Sequence, residues 1–330
     1  MKILSELGIT YDDLLIVPQY SEVNSRTYVD TIITVAGMRL RIPIIAANMD
    51  TICEVEMARE MSRLGGLGIL HRFAPIEDQI RWVKDLSNEG HYAVPSVGVE
   101  TGALKKITDF FDCGADAVCI DIAHGNTKKV FDLVNYFYQM KPYSEKHLIV
   151  GNFATTPEFV FNRNVTLKVG IGPGSACETR VVAGVGVPQA SAILSSIQSG
   201  NEIIADGGIK KPADVAKAIA LGAKAVMVGG YLAGSSEVPM RGKKKFRGMA
   251  SSSAQLEHRG KVSNDVAEGR TFEVSETGPV KEKIEKLVGG LRSAMSYTGA
   301  HNVLQYQSKV VLQRVSNATL KENVAHFNEE

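Results

Sequence analysis

The chain has 330 residues, of which 44% are hydrophobic and 22% are charged, and its formal net charge is +1 at pH 7. A nearly neutral chain offers no positive field for nucleic acid or for an anionic membrane surface, so we expect neither as a partner. No apolar run approaches the ~18 residues of a membrane span, and the first residues lack the apolar core of a secretory signal. We therefore expect a cytoplasmic protein.

Short apolar runs alternate with longer amphipathic runs along most of the chain. Each apolar run is rich in Val, Ile or Ala, which is typical of a parallel strand buried on both faces. The predicted strands cover residues 42–48, 67–71, 93–99, 117–121, 148–152, 167–171, 202–206 and 225–228. The predicted helices include residues 54–64, 76–86, 104–111, 128–139 and 213–221, and Pro157 and Pro212 lie near further predicted helix starts.

Eight strand–helix alternations predict an α/β fold in which the sheet closes into a (β/α)8 barrel, the TIM barrel. A doubly wound open sheet is the alternative, but it usually has fewer repeats. In a barrel the chemistry lies at the carboxyl ends of the strands. Polar or glycine residues end the predicted strands at Asn48–Asp50, Asp121–Gly125, Gly151–Asn152, Gly170–Gly172, Asp206–Gly208 and Gly229–Gly230.

The pattern changes after the last predicted strand. Residues 235–276 are polar, rich in Gly and Ser, and have no clear period. A loop of this length is usually functional or disordered, and we interpret it as a mobile flap over the barrel mouth, with a passive loop as the alternative. Pro279 then starts a closing amphipathic helix. The sequence thus predicts one barrel domain over residues 1–330 with a flap at 235–276.

The glycine-rich loop over residues 170–180 contains Cys177, with Thr179 two residues further on. Its glycines allow the backbone to approach a ligand closely and to turn carbonyl or N–H groups inward. A thiolate with a lowered pKa is a strong nucleophile. Cys177 is therefore the candidate nucleophile, and a buried, inert cysteine is the alternative.

Two neighbouring strand ends predict a nucleotide site. Gly208 follows the seventh predicted strand, and Gly229 and Gly230 follow the eighth, where barrels often bind phosphate through exposed N–H groups. Asp206 beside them could accept hydrogen bonds from a ribose diol. Tight turns without a ligand are the alternative explanation for these glycines.

Further polar residues could serve a second ligand or the chemistry. Asp121 and Asn152 end the fourth and fifth strands, and Arg72 follows the second. Glu268 lies in the flap and could act as an acid or base if the flap closes. A solvated surface glutamate is the simpler interpretation of Glu268.

The chain resembles the IMP dehydrogenase and GMP reductase family over almost its whole length. The loop over residues 168–180 resembles the family's active-site loop. Supporting matches lie at residues 11–15, 47–50, 120–125, 151–152, 205–209, 247–249 and 289–293. The resemblance implies a homotetrameric (β/α)8 barrel that acts on a purine nucleoside monophosphate with a nicotinamide cofactor.

The resemblance also implies roles for individual residues. Cys177 would attack purine C2 and form a covalent adduct, and Thr179 and Glu268 would assist the loss of ammonia. Ser175, Gly208, Gly229 and Gly230 would bind the phosphate, and Asp206 would bind the ribose. Gly248 and Met249 would lie along the base, and Gly269 would be a further substrate-binding residue. Arg72, Asp121 and Asn152 would bind the cofactor, and the carbonyls of Gly172, Gly174 and Cys177 would bind a monovalent cation, potassium.

The flap favours a reductase over a dehydrogenase. Dehydrogenases of the family use an Arg–Tyr pair in the flap to activate water, and residues 248–260 have no such pair. The run from residue 76 to residue 94 also leaves no room for the regulatory insert that dehydrogenases usually carry. We therefore expect an NADPH-dependent GMP reductase that forms IMP and ammonia, with NADH or NAD as other possible cofactors.

Other features leave two alternatives open. Residues 182–189 and 318–323 look closer to bacterial dehydrogenases, so an IMP dehydrogenase without the insert, converting IMP to XMP with NAD, is the second hypothesis. Glu178 replaces a small residue beside the nucleophile, Ala250 replaces a serine, and Asp265 replaces an arginine. A carboxylate at Glu178 could raise the pKa of Cys177 if it points inward. These departures motivate a third hypothesis, a catalytically silent purine nucleotide-binding protein.

Overall fold

The computed structural model describes residues 3–239, 244–262, 266–316 and 318–322. Asp265, named above as a departure from the family, lies outside the described residues. The strands, in chain order, are β1 (Leu14–Val17), β2 (Ile33–Val35), β3 (Met38–Leu40), β4 (Ile44–Ala46), β5 (Leu67–Gly68), β6 (Ser96–Val97), β7 (Ala117–Asp121), β8 (His147–Phe153), β9 (Val165–Val169), β10 (Glu202–Asp206), β11 (Ala225–Val228), β12 (Lys245–Arg247), β13 (Thr271–Glu273) and β14 (Val311–Arg314).

The helices surround these strands. They are α1 (Val55–Leu64), α2 (Ile76–Asn88), α3 (Ala103–Asp112), α4 (Lys128–Gln139), α5 (Thr179–Val182), α6 (Gln189–Ser196), α7 (Pro212–Ala220), α8 (Ser252–Arg259), α9 (Val280–Tyr297), α10 (Val303–Lys309) and α11 (Thr319–Glu322), with short 3-10 turns at Tyr11–Asp13, Arg26–Tyr28, Lys141–Tyr143, Ile197–Ser199 and Gly230–Leu232. Among the described residues, none of these helices is long and apolar enough to cross a membrane.

The predicted strands form one parallel sheet. Its order is β5-β4-β11-β10-β9-β8-β7-β6, and every neighbouring pair is parallel. A parallel bridge between Ile69 and Val94 joins the two edge strands and closes the sheet. Every residue of β4, β9 and β11 is buried, as expected for strands covered by helices outside and by side chains inside. The predicted (β/α)8 barrel is confirmed.

The outer helices follow the predicted amphipathic pattern. In α1 the buried side chains are Met57, Ala58 and Met61, which recur at the spacing of three and four residues that places them on one face. Pro212 is the first residue of α7, and Pro279 immediately precedes α9, where a missing N–H costs no helical hydrogen bond. The helix starts predicted at these two prolines are confirmed.

The helix start predicted near Pro157 is wrong. Residues 154–164, between β8 and β9, are irregular. Phe159 packs on Phe131 of α4 with ring centroids 4.3 Å apart, and Phe161 packs edge-on against Phe153 at 5.9 Å. These aromatic contacts hold the short connection in an irregular path, and tertiary packing overrides the local proline signal.

The flap region, residues 235–276, has more regular structure than its sequence indicates. Strands β12 and β13 pair in antiparallel register, and α8 lies between them. The hydroxyl of Ser251 accepts the N–H of Ala254 at 3.3 Å and caps α8, which ends at Gly260 in the left-handed conformation. The serine-rich stretch that begins at Ser251 was predicted to be a loop, but it is a helix cap followed by a helix.

Candidate active site

A cavity of about 900 Å³ opens at the carboxyl ends of the barrel strands. Loops from almost every strand contribute to its wall, as the barrel topology requires. The predicted site residues that line the cavity are Arg72, Asp121, Asn152, Gly172, Gly174, Ser175, Cys177, Thr179, Asp206, Gly208, Gly229, Gly230, Gly248, Met249 and Glu268. Gly269 is the predicted substrate residue that does not line it.

The loop after β9 presents Cys177 to this cavity. The N–H of Cys177 donates to the carbonyl of Gly174 at 3.0 Å and closes a turn. The thiol then lies 3.2 Å from the hydroxyl of Thr179, the first residue of α5. The same turn places the carbonyls proposed for a cation, those of Gly172, Gly174 and Cys177, within one short segment.

The other cysteines differ from Cys177 in their surroundings. Cys53 and Cys119 are fully buried. Burial raises the pKa of the Cys53 thiol, and burial also raises the pKa of Cys119, to about 12. Both thiols therefore stay protonated and unreactive at neutral pH. Cys177 is half-buried and faces the cavity, which makes it the candidate nucleophile.

The flap meets the cysteine loop directly. Cys177 opposes Gly269 in an antiparallel bridge, and Gly269 also bridges Ser251. A Cβ atom at Gly269 would lie 3.0 Å from the backbone nitrogen of Ser251 and 3.2 Å from the carbonyl oxygen of Ala176. Gly269 thus serves the close approach of three backbone segments. Glu178, which could have pointed inward, instead pairs with Arg270 on the flap and does not line the cavity.

Lys168 is the most important residue that the sequence analysis missed. It is 2% exposed, and its Nζ lies 3.0 Å from Asp121 and 2.8 Å from Asp206, while it also contacts Asn152. Burial opposes its charged form, but the carboxylates of Asp206 and Asp121 outweigh burial and hold the pKa of Lys168 above its ordinary value. Lysine in a strand whose neighbours are all buried is the signal that could have predicted an internal ion pair.

Asp121 is held ionised by its contacts with Lys168 and Arg72. Burial raises the pKa of Asp121, but Lys168 and Arg72 outweigh that effect and lower it below its ordinary value. Asp206 accepts from Lys168 and from Asn152 through Oδ2, each at 2.8 Å. Four side chains from β7, β8, β9 and β10 therefore form one network of ion pairs and hydrogen bonds at the cavity, which we call the Lys168 network (Asp121, Asn152, Lys168 and Asp206).

Three loops converge beside this network. A Cβ atom at Gly230 would lie 2.5 Å from the hydroxyl oxygen of Ser175, so the loops after β9 and β11 touch there. Gly207 and Gly208, after β10, both have positive φ, +92° and +81°. Among the described residues, the N–H groups of Gly208 and Gly230 donate to no backbone carbonyl. Free N–H groups and a hydroxyl on adjoining loops that line one cavity can bind a phosphate.

The root of the flap carries a buried ion pair that the sequence analysis did not connect. Arg247 of β12 contacts both carboxylate oxygens of Asp50, which follows β4, and lies 2.7 Å from Glu257. His258 of α8 lies 2.6 Å from Asp50. Burial raises the pKa of Asp50, but Arg247 and His258 outweigh burial, and the pKa is lowered. We call these four residues the flap anchor.

Arg72 follows β5 and lines the cavity. Its guanidinium lies over the ring of Phe73, 4.6 Å from the centroid, and its Nε is 3.7 Å from Asp121. That Nε is buried and has no hydrogen-bond partner among the described residues. A buried donor without a partner costs free energy, so this position suits an acceptor on a bound ligand.

The chain is similar to known proteins over almost its whole length. Residues 8–326 match the family model described as the IMP dehydrogenase / GMP reductase domain. An inosine-5'-monophosphate dehydrogenase of Cryptosporidium parvum is 33% identical over 97% of this chain and 95% of its own length. A GMP reductase of Phytophthora infestans is 34% identical over 96% and 92%. The crystal structure of a GMP reductase variant from Trypanosoma brucei, in complex with guanosine 5'-monophosphate, superposes with a TM-score of 0.90 at 27% identity and covers 98% of each chain.

Proposed function

The chain belongs to the IMP dehydrogenase / GMP reductase family, and on that premise we propose that it is a GMP reductase that converts GMP to IMP and ammonia with NADPH. One observation carries this proposal. The cavity brings Cys177 together with the hydroxyl of Thr179, 3.2 Å from the thiol, and with Glu268 from the flap. No tyrosine occurs between residues 248 and 276 to activate water against an adduct.

The nucleotide would lie across the cavity with its phosphate between the loops after β9, β10 and β11. Ser175, Gly208, Gly229 and Gly230 would bind the phosphate. Asp206 would accept from the ribose hydroxyls through Oδ1, since Lys168 and Asn152 both use Oδ2. Gly248 and Met249 would lie along the base and direct purine C2 toward the thiol.

The proposed chemistry proceeds in two stages at C2. The thiolate of Cys177 adds to C2, and the π electron pair of the C2=N3 double bond moves to N3, which takes a proton. N3 then gives up this proton and its electron pair re-forms the C2=N3 double bond as the C2–amino bond breaks, so that the amino group leaves as ammonia with a proton delivered through Glu268 and Thr179. The carbon–sulfur bond breaks when hydride enters at C2, which releases IMP and regenerates the thiolate.

The cavity has residues that fit a nicotinamide cofactor and a cation. A bound NADPH supplies the hydride for C2. Arg72, Asp121 and Asn152 would hold it, and the unpartnered Nε of Arg72 offers a donor to an amide or ribose oxygen. The carbonyls of Gly172, Gly174 and Cys177 would bind potassium, a cation that takes neutral oxygen ligands, and would stiffen the loop.

An IMP dehydrogenase is the second candidate. The Cryptosporidium parvum relative favours it, because that dehydrogenase matches 97% of this chain at 33% identity. In that case water would resolve the adduct, and the chain would need a base to activate it. NAD reduction with IMP, without NADPH oxidation by GMP, would select this candidate.

Substitution of the nucleophile tests the mechanism. We expect Cys177→Ala to abolish turnover because no other group in the cavity can form the carbon–sulfur bond. Thermal stabilisation by GMP should persist, because the proposed phosphate and ribose contacts remain. The measurement is NADPH oxidation together with a GMP-dependent melting shift.

Cys113→Ala is the matched control. Cys113 is also half-buried but does not line the cavity, and its variant should keep full activity. Turnover at the normal rate in Cys177→Ala would exclude the covalent mechanism.

A further inference from the structure

Two backbone hydrogen bonds hold the flap against the nucleophile loop. The N–H of Glu178 donates to the carbonyl of Glu268 at 2.8 Å, and the N–H of Arg270 donates to the carbonyl of Ala176 at 3.0 Å. These bonds lie on either side of Cys177. The position of the Glu268 side chain in the cavity therefore depends on the register between two short segments.

A side-chain ion pair joins the same two segments. Nε of Arg270 donates to the carboxylate of Glu178 at 2.5 Å. The Glu178 side chain is 20% exposed, and the Arg270 side chain is 65% exposed. The pair lies outside the cavity lining, so it contacts neither the substrate nor the reacting atoms.

The ion pair stabilises one register over its neighbours. A slip of one residue between extended segments turns every side chain to the opposite face. Such a slip would remove Glu268 from the cavity and would separate Arg270 from Glu178. With only two backbone bonds between the segments, the register is weakly specified by the backbone alone.

We propose that Glu178 and Arg270 form a clasp that keeps the flap in register over Cys177, and that both are positioning residues for the reaction. The role of Glu268 in catalysis rests on the proposed function. The clasp itself does not, because it acts on the position of the flap and on access to the thiol.

The accessibility of Cys177 to a small reagent reports whether the clasp holds the flap in place, and this measurement does not depend on catalytic activity. The probe is iodoacetamide on nucleotide-free protein, with the alkylation rate of Cys177 followed by peptide mass spectrometry. The variants are Glu178→Gln, Arg270→Gln, their double substitution, and the exchange of Glu178→Arg with Arg270→Glu.

We expect each single substitution to raise the alkylation rate about two- to fivefold, the range of an exposed ion pair. The double variant should react no faster than either single variant, because both remove the same interaction. The exchange variant should restore most of the protection. Added salt should speed alkylation of the wild-type protein and leave the double variant unaffected.

If Glu178 and Arg270 acted instead through their charges on the Cys177 thiol, the alkylation rates of the variants would follow a different pattern. Loss of the Glu178 charge would favour the thiolate and speed alkylation, whereas loss of the Arg270 charge would slow it. Opposite changes in the two single variants, additive changes in the double variant, or unchanged rates would each overturn the clasp.

The control pair is Asp78 and Arg81 on α2, an exposed ion pair at 2.6 Å. Asp78→Asn and Arg81→Gln should leave the alkylation rate of Cys177 unchanged. In the active enzyme, the clasp variants should lower kcat about as much as they raise alkylation, with the KM for GMP unchanged. If the wild-type protein does not oxidise NADPH with GMP, the proposed function fails, and the alkylation result still decides the clasp.

Discussion

At the scale of single residues, Lys168 links the two halves of the cavity. Its ammonium group lies between Asp121, on the proposed cofactor side, and Asp206, on the proposed ribose side. A buried charge of this kind is stable only while its partners remain. Lys168 therefore determines where both carboxylates point, although it is not required to touch either ligand.

Loss of this charge should affect stability and binding together. We expect Lys168→Met to destabilise the protein by about 3 kcal/mol, since it leaves two carboxylates without their cation. The pKa of Asp121 should rise, because Lys168 is the main group that lowers it. Denaturant unfolding measures the loss of stability. Steady-state kinetics should show that the KM values for nucleotide and cofactor both increase.

Lys168→Arg keeps the charge and serves as the comparison. The Lys168→Arg variant should lose less stability than Lys168→Met, and the size of its loss depends on how well the larger guanidinium group fits. Equal stability and equal KM values in Lys168→Met and the wild-type protein would contradict the role given to this lysine.

The sequence predicted that Cys177, Asp121 and Asp206 lie at strand ends or in the loop beside them, but not that Lys168 pairs with the two aspartates. Cys177 lies in a local motif, so its position in the cavity follows from a single stretch of chain. Lys168, Asp121 and Asp206 come from three strands, and their pairing depends on the barrel register. The outward orientation of Glu178 also depends on a distant residue, because its partner Arg270 lies 92 positions away. The sequence therefore could not predict it.

At the scale of elements, the flap is attached by its root as well as by its tip. The flap anchor joins β12 and α8 to the loop after β4 through Asp50, Arg247 and His258. Phe73 packs against His258 in a tilted arrangement with ring centroids 5.0 Å apart, so the loop after β5 contributes as well. These contacts place Gly248 and Met249 beside the proposed base position.

Breaking the anchor should loosen the flap in a pH-dependent way. We expect Arg247→Met to cost about 3 kcal/mol at neutral pH, because it leaves the buried carboxylate of Asp50 without its main partner. The folded-state pKa of Asp50 is lowered. The anchor therefore contributes stability above the unfolded pKa of about 3.9, and that contribution is lost as the pH falls through the folded pKa.

Denaturant unfolding across the acidic range measures this effect. The difference between wild type and Arg247→Met should shrink as Asp50 becomes protonated. The double variant Asp50→Leu with Arg247→Met should recover part of the stability, since apolar replacement removes the unpaired charge. A stability difference that stays constant down to acidic pH would contradict the assignment to Asp50.

The elements themselves were predicted unequally. Strands and helices of the barrel have strong periodic signals, and each predicted strand overlaps an observed one. The irregular connection after β8 and the strands and helix within the flap were not predicted. Long-range packing holds the connection in an irregular path, and a serine cap starts a helix in the flap, where composition alone indicates a loop.

At the scale of the whole molecule, the closed barrel brings residues as distant in sequence as Ala47 and Glu268 to one cavity. The alternation of strands and helices predicted this topology, and the topology alone located the mouth. It does not decide the direction of the reaction, because reductases and dehydrogenases of the family share the barrel. In the proposed mechanism, the direction depends on whether water or hydride reaches the adduct on Cys177.

The most direct measurement is therefore nicotinamide absorbance followed together with ammonia release. Purified protein is supplied with GMP and NADPH in one reaction and with IMP and NAD in another. We predict that NADPH is oxidised in equal amount to the ammonia released from GMP, and that NAD is not reduced with IMP. Formation of NADH from IMP and NAD, with GMP and NADPH left unchanged, would contradict the proposed reductase.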